Sequence, residues 1–226
     1  MTDSKANRRA VLGAGALVAG ATALLPATQA HAKGAGAGDW TPAIEAADSW
    51  LDKAGTRHRM VFDTTSADAA AKGLRFAGNF YAANQSGYGL GPETLGVVLI
   101  LRAEATPFGY GDAVWKKYGS QFAKMLDLTD EQADAAKSGN PLMAATPGPG
   151  PAMTLSGLRQ KGASYAVCGM ATHGIAMMTA KATGGDPVAV EAEFKANLIP
   201  GALIVAAGIV AVNRAQEHGY ALAYVG

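Results

Sequence analysis

The sequence Leu-Gly-Val-Val-Leu-Ile-Leu at residues 95–101 contains no polar side chain. A strand with one face in water alternates apolar and polar residues, so an uninterrupted apolar run is typical of a strand buried on both faces. Strands of that kind belong to parallel sheets, because the crossover helices cover both sides of the sheet. This segment therefore predicts an α/β fold built around a central parallel strand.

Candidate strands and helices alternate on both sides of this run. Further strands are predicted from short apolar stretches, and helices from apolar residues at helical spacing. The strands are 58–63, 164–168, 203–206 and 221–225, and the helices are 66–85, 112–126, 154–161, 173–182, 187–197 and 209–218. Strands that alternate with helices imply right-handed crossovers. We therefore expect a three-layer α/β/α domain with a mainly parallel, five-stranded sheet, whose strand order the pattern leaves open.

Two segments interrupt or precede this regular alternation. Residues 33–55 comprise a Gly-Ala leader and a predicted short amphipathic helix from Trp40 to Ala54. Residues 127–153 are polar at first and then rich in Pro and Gly, which is typical of a surface insertion. The α/β domain is accordingly assigned to residues 56–226, with an insertion at about 127–153.

The first 32 residues have the three parts of an export signal. Lys5, Arg8 and Arg9 provide a positive start, an uncharged apolar run follows at 10–25, and Ala-His-Ala at 30–32 fits a signal peptidase site. The apolar run is shorter than the ~20 residues that span a bilayer, which disfavours the alternative of an uncleaved anchor. The arginine pair favours the twin-arginine route. We therefore expect a periplasmic or exported protein.

The composition limits the partners of the mature chain. Residues 1–32 hold three of the 19 Lys and Arg residues and one of the 18 Asp and Glu residues, so the remaining 194 residues have a formal charge of −1. Nucleic-acid binding requires clustered Lys and Arg, which are missing here, so no nucleic-acid partner is expected. No second apolar segment is free enough of polar groups to span a membrane, so no membrane association is expected after signal removal.

Ligands of open α/β sheets bind beyond the carboxyl ends of the strands. Asp63 and Thr64 follow the first predicted strand, and Arg102 and Glu104 follow the second. Arg102 could bind an anion such as sulfite or a carboxylate, and the alternative is an ion pair between Arg102 and Glu104. Asp63 and Thr64 could instead cap the following helix. All four are candidate ligand-binding residues, together with Asn213 on the helix after the fourth strand.

Cys168 is the single cysteine, so no internal disulfide can form. It ends the third predicted strand, and the next helix is predicted to be capped by Thr172. Backbone N–H groups at a helix start favour a thiolate, and His173 could add to this effect if its ring faces the sulfur. Cys168 and His173 are therefore candidate catalytic residues. The alternative is that Cys168 is a buried packing residue, which is common for free cysteines.

The segment from Tyr165 to Gly174, Tyr-Ala-Val-Cys-Gly-Met-Ala-Thr-His-Gly, resembles the DsrE/DsrF-like family. The order of elements from Arg59 to Val225 is also similar, as are the stretches 197–202 and 205–216. The resemblance implies a DsrE-like fold, a homo-oligomer, and a persulfide carried by Cys168. It thus implies a sulfur carrier or sulfurtransferase whose partner is a small sulfur compound or a sulfur-donor protein, with no cofactor.

A second set of side chains allows a different function. Cys168, Met170, His173 and Met177 lie within ten residues, and thiolate, thioether and imidazole ligands suit copper or haem iron. Methionines on an amphipathic helix are also common core residues. The alternative hypothesis is a non-catalytic periplasmic binding module for a metal or a small ligand.

Overall fold

The computed structural model describes residues 41–143 and 153–226, and Pro42–Gly226 forms one compact unit. The predicted signal peptide at 1–32, the Gly-Ala leader and residues 144–152 of the predicted insertion lie outside the described residues. Five strands form one sheet in the order β4-β3-β2-β1-β5, and every pair of neighbours is parallel. Helices cover both faces. The three-layer α/β/α prediction is therefore confirmed.

The elements follow one another in the predicted alternation. The strands are β1 His58–Thr64, β2 Leu95–Leu101, β3 Ser164–Cys168, β4 Ala202–Val205 and β5 Ala221–Val225. The α-helices are α1 Ala67–Tyr88, α2 Asp112–Met125, α3 Asp130–Ala136, α4 Leu155–Gln160, α5 Gly169–Thr183, α6 Pro187–Ala196 and α7 Gly208–Glu217. Short 3₁₀ helices lie at Ala46–Leu51, Pro92–Thr94 and Ala103–Gly109.

The central strand β2 is buried along its whole length, as its sequence predicts. Leu95, Val97 and Leu99 pack on the face covered by α1 and α4. Val98 and Ile100 pack on the opposite face, against α7 and Leu51. Because successive side chains point to opposite faces, a strand between two helical layers needs apolar residues at every position.

Two local predictions near the ends of the domain need correction. The predicted helix from Trp40 to Ala54 is a 3₁₀ helix limited to Ala46–Leu51 in the described part of that segment. Its position is fixed by Tyr220, whose hydroxyl donates to the carbonyl of Leu51 at 2.9 Å. The insertion at 127–153 contains α3, which begins with a capping box between Thr129 and Gln132.

Over residues 41–143 and 153–226, no helix has the length and apolar character needed to cross a membrane.

Candidate functional site

Asp63, Arg102 and Cys168 lie at the carboxyl end of the sheet, where β1, β2 and β3 finish. Val61 and Ala166 both pack against α7, and Asp63 and Cys168 lie two residues further along the same strands. Side chains two residues apart share a face of the sheet. Asp63 and Cys168 therefore lie on the α7 face, on either side of the end of β2, from which Arg102 extends.

Arg102 and Asp63 form a bidentate ion pair. The Arg102 Nε and Nη2 atoms donate to the two Asp63 carboxylate oxygens at 2.7 and 2.9 Å. The Asp63 side chain is only 4% exposed and that of Arg102 is 25% exposed. The pKa of Arg102 is raised, first by the hydrogen bond to Asp63 and to a smaller extent by the nearby Tyr224 and Cys168. The alternative of an Arg102–Glu104 ion pair is therefore wrong, because the buried carboxylate of Asp63 takes that position.

The stem of Arg102 packs against the first residue of α7. A Cβ atom added to Gly208 would lie 2.5–3.2 Å from the Cβ, Cγ and Cδ atoms of Arg102, so only glycine leaves this space. The next residue, Ala103, has a φ of +50°, a left-handed conformation that is uncommon without glycine. The backbone therefore turns sharply just after Arg102, while the Arg102 side chain packs against the start of α7.

Cys168 is the N-cap residue of α5, and its sulfur accepts a hydrogen bond from the backbone N–H of Ala171 at 3.4 Å. The prediction that Thr172 caps this helix is wrong. The helix starts earlier, at Gly169, and Thr172 is buried with its hydroxyl hydrogen-bonded to Tyr110 at 3.0 Å. Cys168 is buried, with 7% of its residue surface exposed.

Gly169 allows α5 to begin beside β4. A Cβ atom at this position would lie 2.7 Å from the carbonyl oxygen of Val205 and 3.2 Å from that of Ala206. The start of α5 can therefore pack against β4 only because Gly169 has no side chain. Next to this contact, Met170, His173 and Lys195 help to line a cleft of about 410 Å³.

His173 is directed toward α6. Its Nδ1 atom lies 2.7 Å from a carboxylate oxygen of Glu191, and the side chain is 61% exposed. Among the described hydrogen bonds, none joins His173 to Cys168. The predicted support of the thiolate by His173 is therefore not present in this arrangement, because Glu191 holds the imidazole.

The four candidate metal ligands do not form one set. Cys168 is turned into the start of α5, whereas Met170 and Met177 are exposed on the helix surface. These two methionines are seven positions apart in the helix, which corresponds to about 10.5 Å along its axis. The two thioethers are therefore two helical turns apart. In residues 41–143 and 153–226, no group of three His, Cys, Asp or Glu side chains is arranged to hold a metal.

The other predicted ligand-binding residues lie apart from Cys168. Thr64 is fully buried, and its hydroxyl donates to the carbonyl of Ile100 at 2.8 Å. Neither Asp63 nor Thr64 caps α1, because the Ser66 side chain does so. Glu104 lines a separate cavity of about 1000 Å³ between α1 and the α2–α3 region. Asn213 is exposed in the middle of α7, beside Arg214.

Tyr224 also lies at the carboxyl end of the sheet, and it was not among the site residues predicted from the sequence. It pairs with Asp63 in the β1–β5 register and is 64% exposed. It lies close enough to Arg102 to affect the pKa of that guanidinium. The rule that ligands bind beyond the carboxyl ends of strands also applies to β5, so the same rule could have identified Tyr224.

No protein-family model and no curated protein matches the chain. Among solved structures, a protein of unknown function from Methanobacterium thermoautotrophicum is similar to this chain at 15% identity and a TM-score of 0.36. The match covers 74% of this chain and 98% of the other.

Proposed function

We propose that this chain is an exported sulfur carrier or sulfurtransferase of the DsrE-like type, which holds sulfur as a persulfide on Cys168. The observation that supports this function most strongly is the position of the thiol. Its sulfur caps a 15-residue helix at the carboxyl edge of a parallel sheet, where such sheets bind ligands.

The start of α5 favours an anionic sulfur atom. Helix N-termini carry partial positive charge, and the Ala171 N–H group already points at the Cys168 sulfur. The thiolate is the nucleophilic form of cysteine, and such an environment stabilises it. A persulfide on Cys168 would also be anionic, so the same N–H group and helix charge would stabilise the loaded form.

A second candidate function is a non-catalytic metal-binding module. His173 and Met177 are one turn apart on the exposed face of α5, so both can contact one ion. Glu191 holds the Nδ1 atom of His173, and a carboxylate commonly orients a metal-binding histidine in this way. These two ligands suit Cu(I), but they leave most of its coordination to other groups.

Intact mass spectrometry of the purified mature protein tests the first function against the second. We expect incubation with inorganic polysulfide to add about 32 Da, the mass of one sulfur atom, and reductant to remove it. Cys168→Ser should abolish the adduct, because the chain contains no other cysteine. Met178→Leu, a change on the same helix, is the control and should leave it intact.

Two results would contradict the sulfur-carrier function. One is a wild-type mass without any sulfur adduct. The other is a thiol that reacts with iodoacetamide only after denaturant is added, as expected for a packing residue. Copper or haem retained by the purified protein would instead favour the binding module.

We also propose that export follows the twin-arginine route. Changing both Arg8 and Arg9 to Lys should leave the precursor in the cytoplasm, because this route reads the arginine pair. Cell fractionation with antibody detection measures the distribution. A single Lys5→Ala change is the control, since it alters the charge but keeps the pair. Normal export of the double variant would contradict the proposed route.

We further propose that the mature chain is a homo-oligomer. β4 and β5 lie at the two edges of the described sheet, and edge strands offer unpaired backbone groups. Ile209 and Val210 at the start of α7 are exposed, as is Tyr224 near the end of β5. Another subunit of the same chain could cover these exposed apolar side chains. Sedimentation equilibrium should give a mass that is a multiple of the mature chain, and a monomer at all concentrations would contradict the proposal.

A further inference from the structure

Asp63 occupies one edge of the Arg102 guanidinium, and the other edge has no hydrogen-bond partner among the described residues. Nε and Nη2 bind the two oxygens of Asp63, as described above. Within residues 41–143 and 153–226, no acceptor is bonded to Nη1, and the side chain is partly open to solvent. Arginine has five N–H donors in one plane. The open edge of Arg102 can therefore bind a second anionic group in the same plane.

The guanidinium is also held in place. Its stem lies against Gly208 without room for a further atom, and its inner edge is fixed by a carboxylate that is almost fully buried. A side chain that is restrained before binding loses less entropy when a ligand arrives. Cys168 lies on the next strand, on the same face of the sheet. An anion bound to Arg102 would therefore lie at the same end of the sheet as the thiol.

We propose that Arg102 binds the oxyanion of the sulfur donor, so that the donor is a small compound with a sulfane sulfur bonded to a sulfonate-like group. Thiosulfate is the simplest member of this class. Asp63 is then a positioning residue, which acts through Arg102. This inference rests on the proposed role of Cys168 as the sulfur-bearing residue.

The reaction balances without a further reactant. The Cys168 thiolate attacks the outer sulfur of thiosulfate, and a new S–S bond forms while the S–S bond of thiosulfate breaks. Sulfite leaves with the bonding electron pair, and Cys168 keeps a persulfide anion. The total charge is unchanged. Negative charge accumulates on the leaving sulfite oxygens, where the N–H donors of Arg102 stabilise it.

Two sulfur donors separate this inference from the proposed function. Thiosulfate carries the oxyanion, whereas inorganic polysulfide carries none. We expect Arg102→Gln to slow persulfide formation from thiosulfate by about 100-fold, and to slow formation from polysulfide, an anion without such oxygens, much less. Asp63→Asn should show the same selectivity with a smaller loss. Arg214→Gln, which changes another partly exposed ion-paired arginine, is the matched control and should affect neither reaction.

The outcomes distinguish the two claims. Equal losses with both donors would overturn the inference, because a purely structural role of Arg102 would impair both reactions. Loading by polysulfide but not by thiosulfate in the wild type would also overturn it, while the sulfur-carrier function would stand. Failure of both donors would contradict the proposed function.

A binding measurement decides the inference even if neither donor loads the protein. Calorimetry with sulfite on the Cys168→Ser variant should detect binding that Arg102→Gln weakens by at least about tenfold. Circular dichroism confirms that each variant is folded. Sulfite binding that is missing, or that does not depend on Arg102, would overturn the inference.

Discussion

Replacing Asp63 with Ala should lower the free energy of unfolding by about 2 kcal/mol. The carboxylate is almost fully buried and accepts two hydrogen bonds from Arg102. Its removal leaves a partly buried guanidinium without its partner. A fully buried pair would lose about 3–5 kcal/mol, but the Arg102 side chain is 25% exposed and recovers some hydration. Urea denaturation monitored by circular dichroism measures the change.

Two variants test the cause of that loss. Asp68→Ala removes the carboxylate of an exposed i,i+4 pair with Lys72, and it should have little effect because water screens such pairs. The double variant Asp63→Leu/Arg102→Met removes both charges and keeps apolar volume, so it should recover much of the stability. If Asp63→Ala is no more destabilising than Asp68→Ala, the ion pair does not stabilise the fold.

The layers of the fold could be predicted because the informative residues are local. The uninterrupted run at 95–101 requires burial on both faces, and the structure buries every residue of β2. The Ser66 cap of α1 is a feature of the same local kind, since capping depends only on neighbouring residues. The order of the strands could not be predicted, because the alternation of strands and helices is the same for several orders.

The candidate site was predicted only in part, because some of its contacts join segments that are distant in the sequence. The strand-end rule identifies Asp63, Arg102 and Cys168 from local sequence. The partner of Arg102 depends on the pairing of β1 with β2, which places Asp63 rather than Glu104 beside the guanidinium. The direction of His173 depends on α6, because Glu191 comes from that helix. Contacts between distant segments are not encoded in sequence spacing.

The start of α5 shows how a local pattern can mislead. Thr172 is a good capping residue by type, but the helix begins at Gly169 because the backbone there can approach β4. Cys168 then becomes the cap, and its sulfur receives an N–H group of the helix. The close contact of Gly169 with β4 therefore determines where the thiol lies.

The same substitution at two glycines of α5 should have opposite effects on stability. Gly169→Ala should lower the free energy of unfolding by about 2 kcal/mol, because the new methyl group would lie 2.7 Å from the Val205 carbonyl oxygen and the backbone would have to move. Gly174→Ala should raise it by about 1 kcal/mol. No atom of the described residues outside its own helical turn lies within 4 Å of that new methyl group, and alanine favours a helix interior.

Urea denaturation of both variants measures the difference, and the sulfur adduct on Cys168 provides a second measurement. Gly174→Ala should form the adduct at the wild-type rate, because Gly174 lies more than one turn from the helix start. Gly169→Ala should form it more slowly, because a displaced helix start moves the Ala171 N–H group away from the sulfur. Equal stability of the two variants would show that α5 can shift freely along β4. The contact between Gly169 and Val205 would then not fix the position of Cys168.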